Sequence, residues 1–433
     1  MSLASGEGFS YLVSNHIDST EGRGLTAIEG FDQTLLMVIP TVLEEENGTI
    51  LLDRDFSNNL EAYLAAFEKV VVACPSARKK GSFPSTRILE DLSGHERARI
   101  IVLPEPYRED RYVFFRNRIS KLLSREIDMA RYILISPHAP FDWSTLAASI
   151  CIRKGRHYNM EADWNVPITS RYIWSEMPFG INKFRKRLWM AYYNPKYWKA
   201  LKNSSLSLLQ GEDVMADYRQ VAKNPHSVLN VQITSEDRIS AVALKAKVER
   251  VCLGQPLQLV YAGRAIAMKG PLYWLETLRL LREAGVPFEA RWFGSGEMLA
   301  QMERFVGDNN LEQFCKLEGN ATRPSVFRAM QEADIFLFCH MSKESPRCLV
   351  EALASGAPLV GFGSDYSRGL TNASGGGIFA EPGDSSSLAH VVESLHQDRS
   401  RLAELIAAAA ESGKGLDRDK EIQRRIGLMK QFL

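Results

Sequence analysis

"ADIFLFCHMSKESPRCLVEALASGAPLVGFG", residues 333–363, holds the pattern that decides the fold. "IFLFCH" (335–340) is a short apolar, β-rich run, "PRCLVEALASG" reads as a helix stopping at Gly356, and "APLVGFG" (357–363) is a second apolar run. Strand, helix and strand in so short a span make a parallel crossover unit. Ser345 before Pro346 marks the helix start: Ser as N-cap accepts from orphan N–H groups, and Pro at the first helical position has no donor to lose. That start lies just past a strand's C-terminal end, where open α/β sheets bind ligands. The N–H groups of Arg347, Cys348 and Leu349 then face an anion, for which phosphate is the natural guest. Glu344 and Glu351 lie on either side, placed to accept from hydroxyls. The alternative is that both acids only cap or solvate the helix, and the stretch alone does not separate the two.

The same alternation runs through the chain. "TLLMVIP" (34–40), "VVVAC" (70–74), "RIIVLP" (99–104), "RYILIS" (131–136) and "SLSLLQ" (205–210) are candidate strands of the first half. "LQLVYAG" (257–263), "FEARWFG" (288–294) and "FCKLEG" (314–319) join the opening stretch in the second. Helical patterns separate them, so the fold class expected is α/β, with two Rossmann-like doubly wound domains facing each other across a cleft. The chain's 433 residues also exceed what one core usually organises. The boundary is placed near residue 235: an N-terminal domain over 1–235, a C-terminal domain over 236–416, and a last helix over about 417–433 that packs back on the first.

Three loops leave strand ends of the second half beside the opening stretch. "YAGRAIAMKG" carries Gly263, Arg264 and Lys269, two cations able to converge on one diphosphate. "WFGSGEM" permits close backbone approach at Gly294, although a lone G-x-G is equally a plain turn. "LEGNATRP" supplies Asn320 and Ala321 before another Pro-led helix. Together the loops describe one cleft for a nucleotide diphosphate.

Composition sets limits. Lys and Arg number 53 against 52 Asp and Glu, a net charge of +1 that gives no global reason to expect nucleic acid. The six cysteines show no C-x-x-C or metal spacing and suit reduced thiols of a cytoplasmic protein. No metal site, signal peptide or membrane span is expected. No G-x-G-x-x-G opens either half, against a dinucleotide dehydrogenase.

The ordered set G-R-x4-K-G, F-G-x-G, G-N, A-D-I-F-L-F, E-S-P-R-C-L-V-E-A-L-A-S-G-A-P-L-V-G and E-P-G-D resembles retaining glycosyltransferases of family 4, over residues 257 to about 412. These are two-domain enzymes of the GT-B fold. The resemblance implies a metal-independent hexosyltransferase with no cofactor, a UDP- or GDP-sugar as co-substrate, and a glycan or lipid-linked acceptor. It implies that Arg264 and Lys269 hold the donor diphosphate, that Ser345, Pro346, Arg347, Cys348 and Leu349 give main-chain contacts to phosphate and sugar, that Glu351 holds the ribose, and that the Asn320–Ala321 backbone meets the base. The family's first glutamate precedes the second by eight positions; Lys343 occupies that place here and Glu344 is seven away. A loop one residue shorter that still presents Glu344 to the transferred sugar is the reading adopted.

The first half departs from the family pattern, because "TLLMVIPTVLEEENGTILLD" has no Gly-Gly pair after its first strand. His138, after "YILIS", resembles a histidine kept near the transferred sugar, with a solvent-facing loop residue as the alternative; His157 ranks below it. "KFRKRLWMAYYNPKYWKALK" (183–202) has seven Lys or Arg, no acid and five Trp or Tyr. Such interleaving suits a membrane interface or a lipid-linked acceptor; an ordinary helix packing its rings into the core is the alternative, and single-stranded nucleic acid the weakest. Rival functions are a nucleotide-sugar-binding protein without transfer activity, or a hydrolase, epimerase or synthase on the same frame.

Overall fold

The computed structural model describes residues 33–41, 43–46, 49–76, 85–105, 109–163, 165–167, 170 and 177–432; residues 1–32 of the expected N-terminal domain lie outside them. Among the described residues, ten strands occupy the first half: β1 (Thr34–Val38), β2 (Leu43–Glu46), β3 (Thr49–Asp53), β4 (Lys69–Pro75), β5 (Thr86–Ile88), β6 (Ala98–Leu103), β7 (Tyr132–Ile135), β8 (Asn159–Ala162), β9 (Leu206–Gln210) and β10 (Pro225–Val228). Six follow: β11 (Leu257–Ala262), β12 (Phe288–Phe293), β13 (Cys315–Gly319), β14 (Ile335–Phe338), β15 (Leu359–Phe362) and β16 (Gly377–Ala380).

They build two all-parallel sheets, ordered β10-β9-β8-β7-β1-β4-β6 and β13-β12-β11-β14-β15-β16, and a small antiparallel sheet β2-β3-β5. The sequence reading places a strand just after His157, where β8 forms, and does not contain β2, β3, β5, β10 and β16. Alternation explains the first parallel sheet: Leu36, Val38, Val71, Ile133 and Ile135 enter one core layer, while Leu35, Met37, Val70, Val72 and Leu134 enter the layer on the other face. The last helix, Arg418–Gln431, buries Ile422, Ile426 and Met429 in that second layer. Among the described residues no helix is long and apolar enough to cross a membrane.

Strand order positions the chemistry. In the first sheet the chain winds outward from β1 through β4 and β6, then reverses through β7 to β10. In the second it winds from β11 through β12 and β13, then reverses through β14. A crevice opens at such a reversal, because the connections on either side cover opposite faces. The loops after β11 and β14 meet at one reversal, and those after β1 and β7 at the other.

Candidate active site

Lys269 sits in a single 3-10 turn, Ala267–Lys269, after β11, and is buried. Its Nζ donates to Glu344 Oε1 at 2.7 Å, and Ser342 Oγ donates to the same oxygen at 3.3 Å. Lys343 turns toward the facing half, its Nζ 3.4 Å from Asp217. Glu344, not Lys343, is therefore the side chain held beside the lysine. Arg264 is exposed and forms no side-chain hydrogen bond or ion pair among the described residues. One cation of the loop is thus locked by an internal carboxylate, and the other stands open.

The neighbouring turn is shaped by backbone approach. Gly294 has φ +128°, and a Cβ there would lie 2.1 Å from the carbonyl oxygen of Gly263. Its N–H donates to Gly319 O at 2.7 Å, and the Gly263 N–H to Phe293 O at 2.8 Å, tying three strand ends together. Asn320 completes the rim, its Oδ1 accepting from the Ser295 N–H at 3.2 Å.

The helix start differs from the sequence expectation. The helix runs Arg347–Ala354 with Pro346 in extended cap conformation, and Ser345 is not its N-cap. The Ser345 hydroxyl instead donates to Gln210 O, at the end of β9 in the facing half, at 2.5 Å. Gly211 permits this contact: its φ is +80°, and a Cβ there would fall 2.3 Å from Ser345 Oγ. Of the first-turn N–H groups, that of Leu349 donates to the cap carbonyl Pro346 O at 3.3 Å, while those of Arg347 and Cys348 lie at the strand edge. The Arg347 guanidinium forms an ion pair with Asp55, in the first turn of the helix Arg54–Ala66.

Glu351 lies one turn into the helix. Burial raises its carboxyl above the ordinary value, and Arg347 and Arg323 pull it back. Arg323 in turn binds Asp237 at 2.8 Å and the Gln232 carbonyl at 2.9 Å. His340, beyond β14, is held well below its usual pKa by burial and then by Lys269, and its Nε2 is 2.9 Å from the Tyr261 hydroxyl. Such a ring is neutral.

Across the cleft a cavity of about 440 Å³ is lined by Ile39, Pro40 and Thr41 after β1, by Asp53, Asp55 and Asn59, by Glu161 and Asp163 at β8, by Gln232, by Arg425 of the last helix, and by Arg347. Burial and then the Glu161 charge raise the Asp163 carboxyl to about 7. Arg425 pairs with Glu161 and donates to Leu229 O at 2.8 Å. Ser136 lines this cavity and His138 does not. The His138 N–H donates to Asp142 Oδ2 at 2.7 Å, which fixes the loop as Asp142 caps the helix Trp143–Lys154; burial lowers the His138 pKa. His157 precedes β8, at the opposite edge of the parallel sheet from the cleft, with Nδ1 2.9 Å from Ser205 Oγ.

The geometry therefore brings together Lys269, Glu344 and the 345–351 segment, with Arg264, Gly263, Gly294 and Asn320 on adjoining loops. The sequence reading missed Asp55, Gln210, Asp163, Arg323 and Arg425. Asp53 and Asp55 in "LLDRDFSNN" carried a helix-start signal, Asp53 accepting from two first-turn N–H groups. Among the described residues no group of three His, Cys, Asp or Glu is placed to hold a metal.

Residues 249–412 match the family model of glycosyl transferases group 1, so the C-terminal half carries a group 1 glycosyltransferase domain. The two facing sheets make the whole a GT-B fold. The amylovoran biosynthesis glycosyltransferase AmsK of Erwinia amylovora is 30% identical over 166 residues, 37% of this chain and 41% of AmsK; the chain thus spans about two fifths of that curated relative. Among solved structures, Anabaena HepE in complex with UDP superposes with a TM-score of 0.63 at 13% identity, covering 93% of this chain and 100% of HepE. Sucrose-phosphate synthase from Thermosynechococcus elongatus gives 0.64 at 14%, covering 92% and 98%.

Proposed function

We propose that the protein moves a hexose from a UDP- or GDP-sugar to a glycan or lipid-linked acceptor, with retention of anomeric configuration, in polysaccharide or glycoconjugate synthesis in the cytoplasm. The observation that carries this reading is the Lys269–Glu344 pair at the reversal of the second sheet, beside an open Arg264 and a helix N-terminus. The names of AmsK and HepE support it: the one belongs to amylovoran biosynthesis and the other was solved with UDP.

In this reading the bond from the sugar's anomeric carbon to the β-phosphate oxygen breaks, a bond to the acceptor oxygen forms on the same face, and the acceptor proton passes to the leaving phosphate. Negative charge gathers on that phosphate, and donors already aimed at it lower the barrier without reorganising. Lys269, Arg264 and the main-chain N–H groups of Ser345, Arg347 and Cys348 are those donors. Glu351 accepts from the ribose, the Asn320–Ala321 backbone meets the base, and Glu344 and His138 orient the transferred sugar. No metal is needed to neutralise the diphosphate. The cavity beside Asp55 and Asp163 receives the acceptor, its carboxylates suiting a hydroxyl-rich ligand.

The test is a panel of nucleotide sugars with candidate acceptors, read by mass spectrometry of intact products and by the anomeric coupling of the product. Transfer from one donor with retained configuration is the expected result. Tight donor binding without turnover assigns a binding protein, and sugar release independent of acceptor assigns a hydrolase.

A further inference from the structure

The helix Ile181–Asn203 has two apolar faces. At about 100° per residue, Met190, Tyr193, Tyr197 and Leu201 fall on one side, and all are buried. Ile181, Phe184, Leu188 and Tyr192 fall on the opposite side and are 82%, 63%, 54% and 47% exposed. Phe179, just before the helix, is 100% exposed. The expectation that the rings of 183–202 pack into the core thus holds for Tyr193 and Tyr197 and fails for the outer stripe. Contiguous apolar side chains left in water mark a contact surface.

Charge identifies the partner. Residues 183–202 carry seven cations and no acid in a chain whose net charge is only +1. Lys183, Arg185 and Lys196 lie over the rings of Phe179, Trp189 and Tyr192 at 5.4, 4.7 and 3.2 Å, so cation and ring share one surface. The first turns project from the body, since residues 184–188 are exposed on every side. A helix end exposed on every side and carrying rings and cations suits a fluid anionic layer, which accepts it without shape complementarity. The neighbouring helix Glu109–Met129, joined through Tyr112, Phe141 and Trp189, also exposes Val113 and Phe114.

We infer that this face docks the protein on an anionic phospholipid bilayer. Phe184 and Leu188 enter the boundary between headgroups and acyl chains, while Arg185, Lys186 and Arg187 meet the anionic headgroups. The inference does not rest on sugar transfer, because a chain without turnover would still bind lipid.

The experiment is co-sedimentation of the full chain with vesicles of phosphatidylcholine alone or with about 30% phosphatidylglycerol. Each cation near such a surface contributes roughly fivefold to partitioning, so binding to the anionic vesicles should exceed the neutral by at least tenfold and weaken in high salt. Phe184→Ser with Leu188→Ser should reduce anionic binding about tenfold while thermal unfolding and nucleotide affinity stay at wild-type values. Equal partitioning into both vesicles, none into either, or wild-type binding by the double variant overturns the proposal. So does an Arg185→Glu, Lys186→Glu, Arg187→Glu variant that loses single-stranded oligonucleotide binding but keeps vesicle binding.

Discussion

The Lys269 ammonium is 2.7 Å from the Glu344 carboxylate, and the two residues come from loops on either side of the β11–β14 reversal. In the function proposed above, the acid of the free protein stands where the donor phosphate binds beside the lysine. Removing the acid should therefore weaken the empty protein more than the nucleotide-bound one. Glu344→Gln is expected to lower Tm by about 2–4 °C, since a lost interaction of ~1 kcal/mol moves a domain of 150–250 residues by that much. Saturating nucleoside diphosphate should recover most of the loss in a thermal shift assay. An equal deficit with and without nucleotide would make Glu344 purely structural.

Asp55 and Arg347 link the two halves, both partly exposed. A pair of this kind contributes only about 0–1 kcal/mol to stability, so Asp55→Asn should leave unfolding nearly unchanged. Its effect should fall on domain closure. Small-angle scattering is expected to show a larger radius of gyration for the variant without nucleotide and convergence with wild type when nucleotide is bound.

Asp163 supplies a pH prediction. Its native carboxyl titrates near 7, against 3.8 for an ordinary one. A raised native pKa means the folded chain binds more protons than the unfolded one between those values, so this group's contribution falls as pH rises from about 4 to 7. Asp163→Asn removes that penalty. The variant should melt higher than wild type at pH 8 and alike near pH 4, as followed by calorimetry.

Gly294→Ala places a Cβ against Gly263 O at a φ that side chains rarely adopt. Backbone strain of this type costs about 1–3 kcal/mol. Urea unfolding should reveal a loss of that order or more, and donor affinity should fall because the Arg264 loop is tied to the same turn.

The second half was legible in the sequence because β11, β14 and β15 are short apolar runs almost wholly buried and its loops carry Gly, Pro and charged residues at strand ends. Lys269, Glu344 and Gly294 were read there and lie at one sheet reversal. The helix start was misread by local reasoning: Ser345 has an N-cap's chemistry, but a carbonyl 135 residues away takes its hydroxyl. No local pattern encodes that contact. Likewise β10, "PHSV", is too short and polar to stand out, and becomes a strand through pairing with β9. Arg425 looked like one charge among many on a terminal helix. Only the packing of that helix on the first sheet brings it to Glu161.

The proposed function requires that Lys269 meet the diphosphate and not the nucleoside. Calorimetric titration of wild type and Lys269→Ala with the nucleoside diphosphate found by the donor panel, and with its parent nucleoside, tests it most directly. A charge-assisted hydrogen bond of about 1.5–3 kcal/mol predicts roughly 10- to 150-fold weaker diphosphate binding in the variant, with nucleoside affinity unchanged. Undiminished diphosphate binding, or an equal loss for both ligands, would remove Lys269 from the diphosphate site.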